Sequence, residues 1–297
     1  RFASDLEPHV ALWATRLSIS FHGACRTLNN GMNSEELRQI IGITPLSGLI
    51  PQDSLAPLLR TRAEELVRLQ PRRKNTLRRN TAMLGKLLDL SPLQIDIVTF
   101  FAMTQQHPYL HEVFENTRVS TYDQLIHTLV VALKARETDI REAMARDSIL
   151  RQTRLVTIEV CSISGGINVS MPQSLRMALF TKANDVRMLM DSFLELAPAS
   201  QLDRDDFKHL GRETELLTQY LASARSANRR GVNILIYGPP GTGKTEYARW
   251  LAGHLKQPLY QVKTVDDEGN PIHALDRLSY FQLSQCFLQK SDTLVLF

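Results

Sequence analysis

Apolar residues in the first two thirds of the chain recur at helical spacing, broken once by two short alternating runs. The sharpest helix start is Ser91-Pro92-Leu93-Gln94, with Ser at the N-cap, Pro at N1 and Gln at N3, followed by Ile97, Val98, Phe100 and Phe101 as a buried face. Thr121-Tyr122-Asp123-Gln124 opens a second helix, with Leu125, Ile126, Leu129, Val130 and Leu133 on one stripe. A short helix over 138–145 carries Ile140 and Met144. Runs at 154–160 and 167–170 then predict two strands joined around Gly165-Gly166. Before these, 1–80 reads as helical but loosely punctuated. Asn33-Ser34-Glu35-Glu36 predicts a capping box, Gly42 and Pro45 a stop, and 46–57, with Pro51 and Pro57, a loop or two turns.

Beyond 180 the rhythm changes. The stretch 182–202 is mixed and ends in Ala197-Pro198-Ala199-Ser200, which reads as a linker. Asp206 to Glu213 then lead a helix bearing Leu216, Leu217, Tyr220 and Leu221. After it, 232–237 is apolar and β-branched, the pattern of a buried parallel strand, and 245–255 reads as a helix.

Between that strand and that helix lies Gly238-Pro239-Pro240-Gly241-Thr242-Gly243-Lys244-Thr245, which satisfies G-x-x-x-x-G-K-[ST]. Glycines at 238, 241 and 243 allow positive φ and let successive backbone N–H groups turn inward around a phosphate. The following helix directs its free N–H groups at the same anion. The candidate nucleotide-contacting residues are therefore Gly238, Pro240, Gly241, Thr242, Gly243, Lys244, Thr245 and Glu246. Two of them carry the chemistry of phosphoryl transfer. Lys244 reaches the β- and γ-phosphates as a point charge, and Thr245 offers its hydroxyl to Mg²⁺. Glu246, in the first helical turn, is placed as an N-terminal acid rather than a base, and Asp266, Asp267 and Glu268 read as a solvated loop.

Composition narrows the class. The 297 residues, 43% hydrophobic and 22% charged, suit a globular chain of about two domains, and no run approaches a membrane span. Cys25, Cys161 and Cys286 are too few for a disulfide framework or a zinc site, so a reducing cytoplasm is expected. His107 and His111 stand four apart beside Glu112, but Pro108 interrupts them and no third ligand is evident. The opening residues show neither Met nor a signal pattern, so the chain is expected to start inside a longer frame.

Net charge is +4, and it is uneven. Arg60, Arg62, Arg68, Arg72, Arg73, Lys74, Arg78 and Arg79 face only Glu64 and Glu65 in the same stretch. Such a run can bind a phosphate backbone, though it is more often a solvated face.

The order helix, turn, helix, hairpin over 121–170 is that of a winged helix. Asp147 to Val156 with Ser174 to Phe180 resembles the winged-helix module upstream of the ATPase core in a group of bacterial AAA proteins. Its second helix has two acids to one base, and 121–180 holds seven basic against six acidic residues. That surface suits a structural or protein-docking role better than DNA.

From about 202 the chain resembles the first half of an AAA-type ATPase core, because the Pro-Pro inside the glycine loop is the form that family favours. Asp206 to Gly211 matches the lead-in bordering its adenine pocket. The resemblance implies a parallel sheet flanked by helices, with 259–262 the second strand, 275–288 the second helix and 293–297 the third strand. It also implies ATP and Mg²⁺, ring assembly as a homo-oligomer, and remodelling of a protein partner. In the family the third strand leads into the acidic pair of Walker B, and this chain ends at Phe297 before either acid. Hydrolysis is therefore expected of the full-length parent and not of this stretch alone. Residues 263–272 lack the aromatic residue that peptide-threading members carry there.

The expected fold is thus mixed: a helical region over 1–80, a helical and winged-helix-like α+β domain over 81–200, and a partial P-loop α/β core over 201–297. The leading function is ATP binding within an AAA ATPase. The alternatives are a DNA-associated ATPase using 60–79 and the winged helix, with nucleic acid the less favoured partner, or a non-hydrolysing, nucleotide-dependent scaffold. No membrane partner is expected.

Overall fold

A computed structural model describes residues 6–45, 47–69, 75–160, 166–229, 231–266, 268–289 and 291–297. The chain divides into two compact units, one within Arg1–Leu189 and one within Met190–Phe297. No helix among the described residues is long and apolar enough to cross a membrane.

The first unit is built around α1 (Glu7–Ser20), which packs against α2 (His22–Asn30), α3 (Ser34–Ile41), α4 (Gln52–Arg68), α7 (Pro108–Glu115) and α8 (Tyr122–Leu133). Val10, Ala11, Leu12, Trp13, Ala14 and Leu17 are all buried, and so are His9, Thr15 and Ser18, so α1 is enclosed on most sides, as a central helix must be. Between α4 and α7 come α5 (Thr76–Leu88) and α6 (Pro92–Gln106). The α6 face of Ile97, Val98, Phe100 and Phe101 is buried as expected. Phe100 meets Trp13 edge to face at 5.3 Å, an orientation that adds to the area buried.

Both sharp N-caps form. Ser91 Oγ accepts from the Gln94 N–H at 3.2 Å while Gln94 Oε1 accepts from the Ser91 N–H at 2.9 Å, and Thr121 with Gln124 repeats the pattern. The box at Asn33 does not form. Its side-chain amide donates instead to Glu112 Oε2 at 3.1 Å, because α7 brings a carboxylate within reach. Glu112 also accepts from the Met32 N–H. The stop at Gly42 is as expected: it sits at φ +80°, and its N–H and that of Ile43 both reach the Arg38 carbonyl.

The expected loop over 46–57 is corrected. Helix α4 starts at Gln52 and takes Pro57 inside its second turn. Leu55, Leu59 and Leu66 are fully buried, Leu66 against Ala11 and Leu12. Three buried leucines at about 1.5–3 kcal/mol each outweigh the roughly 3 kcal/mol an internal proline costs.

After α8 come α9 (Glu137–Ala143) and α10 (Ile149–Gln152), then β1 (Thr157–Val160) and β2 (Ile167–Ser170), antiparallel with Thr157 opposite Ser170. Residues 154–156 are turn rather than strand, with Arg154 at φ +53° and Leu155 and Val156 fully buried. The predicted Gly165 of the joining turn, like Cys161, lies outside the described residues. Gln105, in the last turn of α6, holds the hairpin by donating to the Val169 carbonyl at 3.0 Å and accepting from the Met171 N–H at 3.3 Å. Helices α11 (Gln173–Phe180) and α12 (Val186–Met190) follow. The buried Asn80 amide caps the end of α11, donating to the carbonyls of Leu179 (3.0 Å) and Thr181 (2.7 Å).

The basic stretch is partly spent inside this unit. Arg62 donates to the Ile41 carbonyl at 2.5 Å and pairs with Glu65, Arg78 pairs with Asp96 at 3.7 Å, and Arg79 donates to the Ala183 carbonyl at 2.7 Å. Arg72, Arg73 and Lys74 lie outside the described residues.

In the second unit β3 (Leu194–Leu196) runs antiparallel to β4 (Leu259–Val262), and β4 runs parallel to β5 (Leu294–Leu296). Helices α13 (Gly211–Ser226), α14 (Lys244–His254) and α15 (Ala274–Leu288) complete it. The elements expected at 259–262, 275–288 and 293–297 are present, while β3 was not expected. Phe193 stacks on Tyr280 of α15 at 5.2 Å and meets Phe287 edge-on, so an aromatic cluster joins the start of β3 to that helix. The expected buried strand at 232–237 is corrected. It is not paired with any described strand, Leu235 is 84% exposed and Tyr237 87% exposed. A β-branched run becomes a strand only when a partner takes its backbone groups, and here Ile236 packs instead beside Phe207, Tyr247 and Leu251.

One buried group sets a pH response for the first unit. His9 is 5% exposed and stacked on Trp13, and burial, aided by the nearby Arg78 charge, pushes its pKa down to about 4. The neutral ring is the native form, so this stabilisation is full above the unfolded value near 6.5 and is lost as pH falls from there to about 4, up to roughly 3 kcal/mol. Thermal melts from pH 7.5 to 4.5 are expected to show this loss, and His9→Phe, which keeps the stack, is expected to flatten it.

Candidate functional site

The glycine loop closes onto the start of α14. Gly243 is the N-cap of that helix at φ +79°, a left-handed conformation that a side chain would oppose by about 1–2 kcal/mol. Gly241 shares that φ, and a Cβ added there would meet nothing within 4 Å, so the loop stands open over it. Thr242 Oγ1 donates to the Pro239 carbonyl at 2.9 Å, drawing the loop across itself. Pro240 is exposed at its crest.

Lys244 begins α14 and folds its ammonium back over the loop. Its Nζ donates to the carbonyls of Gly238 at 3.0 Å and Pro239 at 2.7 Å. A cation held by two exposed carbonyls can exchange them for the oxygens of a phosphate, whose charge-assisted bonds are stronger. Thr245 is exposed beside it on the first turn. The structure thus brings 238, 240–243, 244 and 245 together at one helix N-terminus.

Glu246 is placed differently. Its Oε2 accepts from the Gln201 N–H at 2.9 Å and the Ser200 hydroxyl at 3.2 Å, and its Oε1 pairs with Arg249 at 2.7 Å. The Gln201 N–H, then Arg249 and Ser200, hold this carboxyl below the usual carboxylate range against the opposing effect of burial. A carboxylate so engaged is a poor base, in line with its position as an N-terminal acid.

The expected linker at 197–200 is fastened at both ends. The Ala197 N–H donates to the Leu259 carbonyl at 2.8 Å, and Ser200 meets Glu246. Leu202 comes next, with its Cδ1 3.9 Å from where a Cβ on Gly243 would stand. Phe207 then packs on Tyr247 and Trp250, with Ile236, Leu217 and Leu221 around them. Sequence reasoning passed over Ser200, Gln201 and Leu202, because Ala-Pro-Ala-Ser reads locally as spacer. Only the i, i+3 pairing of Glu246 with Arg249 was visible in the spacing. The loop after β4 is a tight turn in which Asp266 accepts from the N–H groups of Asn270 and Glu268. The Asn270 N–H leads in holding that carboxyl below its usual range. Asp267 lies outside the described residues. No cluster of three metal-ligating side chains occurs among the described residues.

An open glycine loop, a lysine and a threonine thus meet at one helix start. Residues 234–285 match the model of the ATPase family associated with various cellular activities (AAA). The matched segment holds the loop, α14, β4 and most of α15. Over 72 residues the chain is 40% identical to a 26S proteasome regulatory subunit homolog of Methanothermobacter thermautotrophicus, the match covering 22% of this chain and 19% of that protein. The likeness therefore spans about a fifth of that relative's length. No solved structure matches.

The loop's geometry makes a stability contrast. Gly243→Ala is expected to cost about 1 kcal/mol in urea unfolding of the second unit. Gly253→Ala, in open space late in the same helix, is expected to gain a few tenths of a kcal/mol.

Proposed function

We propose that this chain is the nucleotide-binding part of an AAA ATPase, with ATP held at the start of α14 by Gly238, Pro240, Gly241, Thr242, Gly243 and Lys244. The observation that carries the reading is the Lys244 ammonium, folded over an open glycine loop onto the Gly238 and Pro239 carbonyls. On binding, phosphate oxygens replace those carbonyls, and the N–H groups of the first turn of α14 face the same charge. Thr245, exposed on that turn, is the residue here that would take Mg²⁺, an oxygen-seeking ion that keeps most of its waters. When bound, Mg²⁺ neutralises charge on the phosphates. Asp206 to Gly211 would border the adenine.

In the full-length protein this site serves ATP hydrolysis coupled to remodelling of a protein partner, within a homo-oligomeric ring in the cytoplasm. The AAA match and the relative's name support that reading. The helix, turn, helix, hairpin of α8, α9, β1 and β2 serves as a winged-helix-like docking module for protein. Its near balance of charge supports this, as does the engagement of Arg62, Arg78 and Arg79 within their own unit.

Lys244→Ala tests the site directly. Affinity for a fluorescent ATP analogue is expected to fall about a hundredfold, with an unfolding midpoint close to that of the wild type. Unchanged affinity in a folded variant would remove the assignment.

A further inference from the structure

Glu246 and Arg249 stand one turn apart on α14, and their side chains are only 23% and 19% exposed. Beyond its bonds to Ser200, Gln201 and Arg249, the pair continues inward, because Arg249 Nη2 donates to Gln261 Oε1 on β4 at 3.0 Å. Gln261 lies opposite Leu296 of β5. One polar path therefore runs from 200–201, through the first turn of the phosphate-loop helix, into the sheet.

Two apolar contacts reinforce the same attachment. Leu202 lies against Gly243, and Phe207 meets Tyr247 edge-on at 5.2 Å, with the Tyr247 hydroxyl 2.9 Å from Thr214 Oγ1 on α13. The segment 200–207 is thus a strap tied to the first two turns of α14 by polar, aliphatic and aromatic contacts. Gly243, where an added Cβ would stand 3.9 Å from Leu202 Cδ1, is also the residue whose left-handed turn shapes the loop. Strap and loop are both anchored to the first turns of α14.

We propose that Glu246 and Arg249 are positioning residues of the nucleotide site, setting affinity by tying the 200–207 strap to the phosphate-loop helix without touching a phosphate. This rests on the nucleotide-binding reading of residues 238–245. Both carboxylate oxygens of Glu246 are already committed, so its effect is the same for di- and triphosphate. By linkage, nucleotide that favours the ordered loop also protects the strap.

The test combines amide hydrogen exchange at Gln201 with affinities for labelled ADP and ATP in the wild type, Glu246→Ala, Glu246→Gln, Ser200→Ala and the Glu246→Ala/Ser200→Ala double variant. Glu246→Ala is expected to weaken ADP and ATP by the same factor, about fivefold to tenfold, and to speed exchange of the Gln201 amide. Glu246→Gln, which keeps an acceptor for that amide, recovers part of both effects. Ser200→Ala, the mildest change, weakens binding about twofold and adds nothing in the double variant. ADP slows Gln201 exchange in the wild type and not in Glu246→Ala. Weakening of ATP alone overturns the proposal, since it places Glu246 at the γ-phosphate. Faster Gln201 exchange with unchanged affinity also overturns it, and leaves the nucleotide site standing. A wild type that binds neither nucleotide overturns both readings.

Discussion

The left-handed turn at Gly243 is the constraint on which the second unit's site depends. It lets an extended glycine loop pass directly into α14, so the first helical N–H groups, the lysine and the threonine emerge from one point. Everything nearby is arranged around that point. Lys244 bends over the loop onto two carbonyls, Thr242 ties the loop across itself, and Leu202 closes against Gly243 from the strap. A residue with a β-carbon at Gly243 would oppose the backbone conformation itself, which no rearrangement of neighbours can relieve.

The polar side chains of this unit act mainly as fasteners. Glu246 and Arg249 would read as a surface pair from their spacing, yet they link the strap, the helix and β4. The same use of polar groups recurs in the first unit. Arg38, 1% exposed, donates to the Leu28 carbonyl at 2.6 Å, the Asn29 side chain at 2.7 Å and the Pro45 carbonyl at 3.0 Å, joining α3 to the end of α2 and to the segment that follows Gly42. Asn80 and Gln105 do likewise for α11 and the hairpin. A buried polar group must be satisfied, so each of these fixes a geometry that apolar contact alone would leave loose.

The distribution of charge follows from the same bookkeeping of partners. Eight basic residues within 60–79 can read in the sequence as a phosphate-binding stretch or, more often, as a solvated face. In the fold, Arg62 and Arg79 end on backbone carbonyls and Arg78 on a carboxylate, so part of that charge stabilises helix ends and loops instead.

Local signals in the sequence determined the elements whose reasons are local. Ser91 and Thr121 cap their helices because the acceptor and the donor lie three residues apart, and the glycine loop forms because its conformations belong to glycine. Asn33 showed the same spacing and was diverted, since Glu112 arrives from a helix 79 residues away. Tertiary contact likewise decided that α4 runs through Pro57, that β3 forms from an apparently mixed segment, that the strap binds Glu246, and that 232–237 does not pair. The first three depend on a partner distant in sequence, α1 for the leucines of α4, β4 for β3 and α14 for the strap, and 232–237 meets no described strand. A strand's backbone groups, a buried leucine and a carboxylate all take their energy from what they meet, and the chain's own order does not state what that will be.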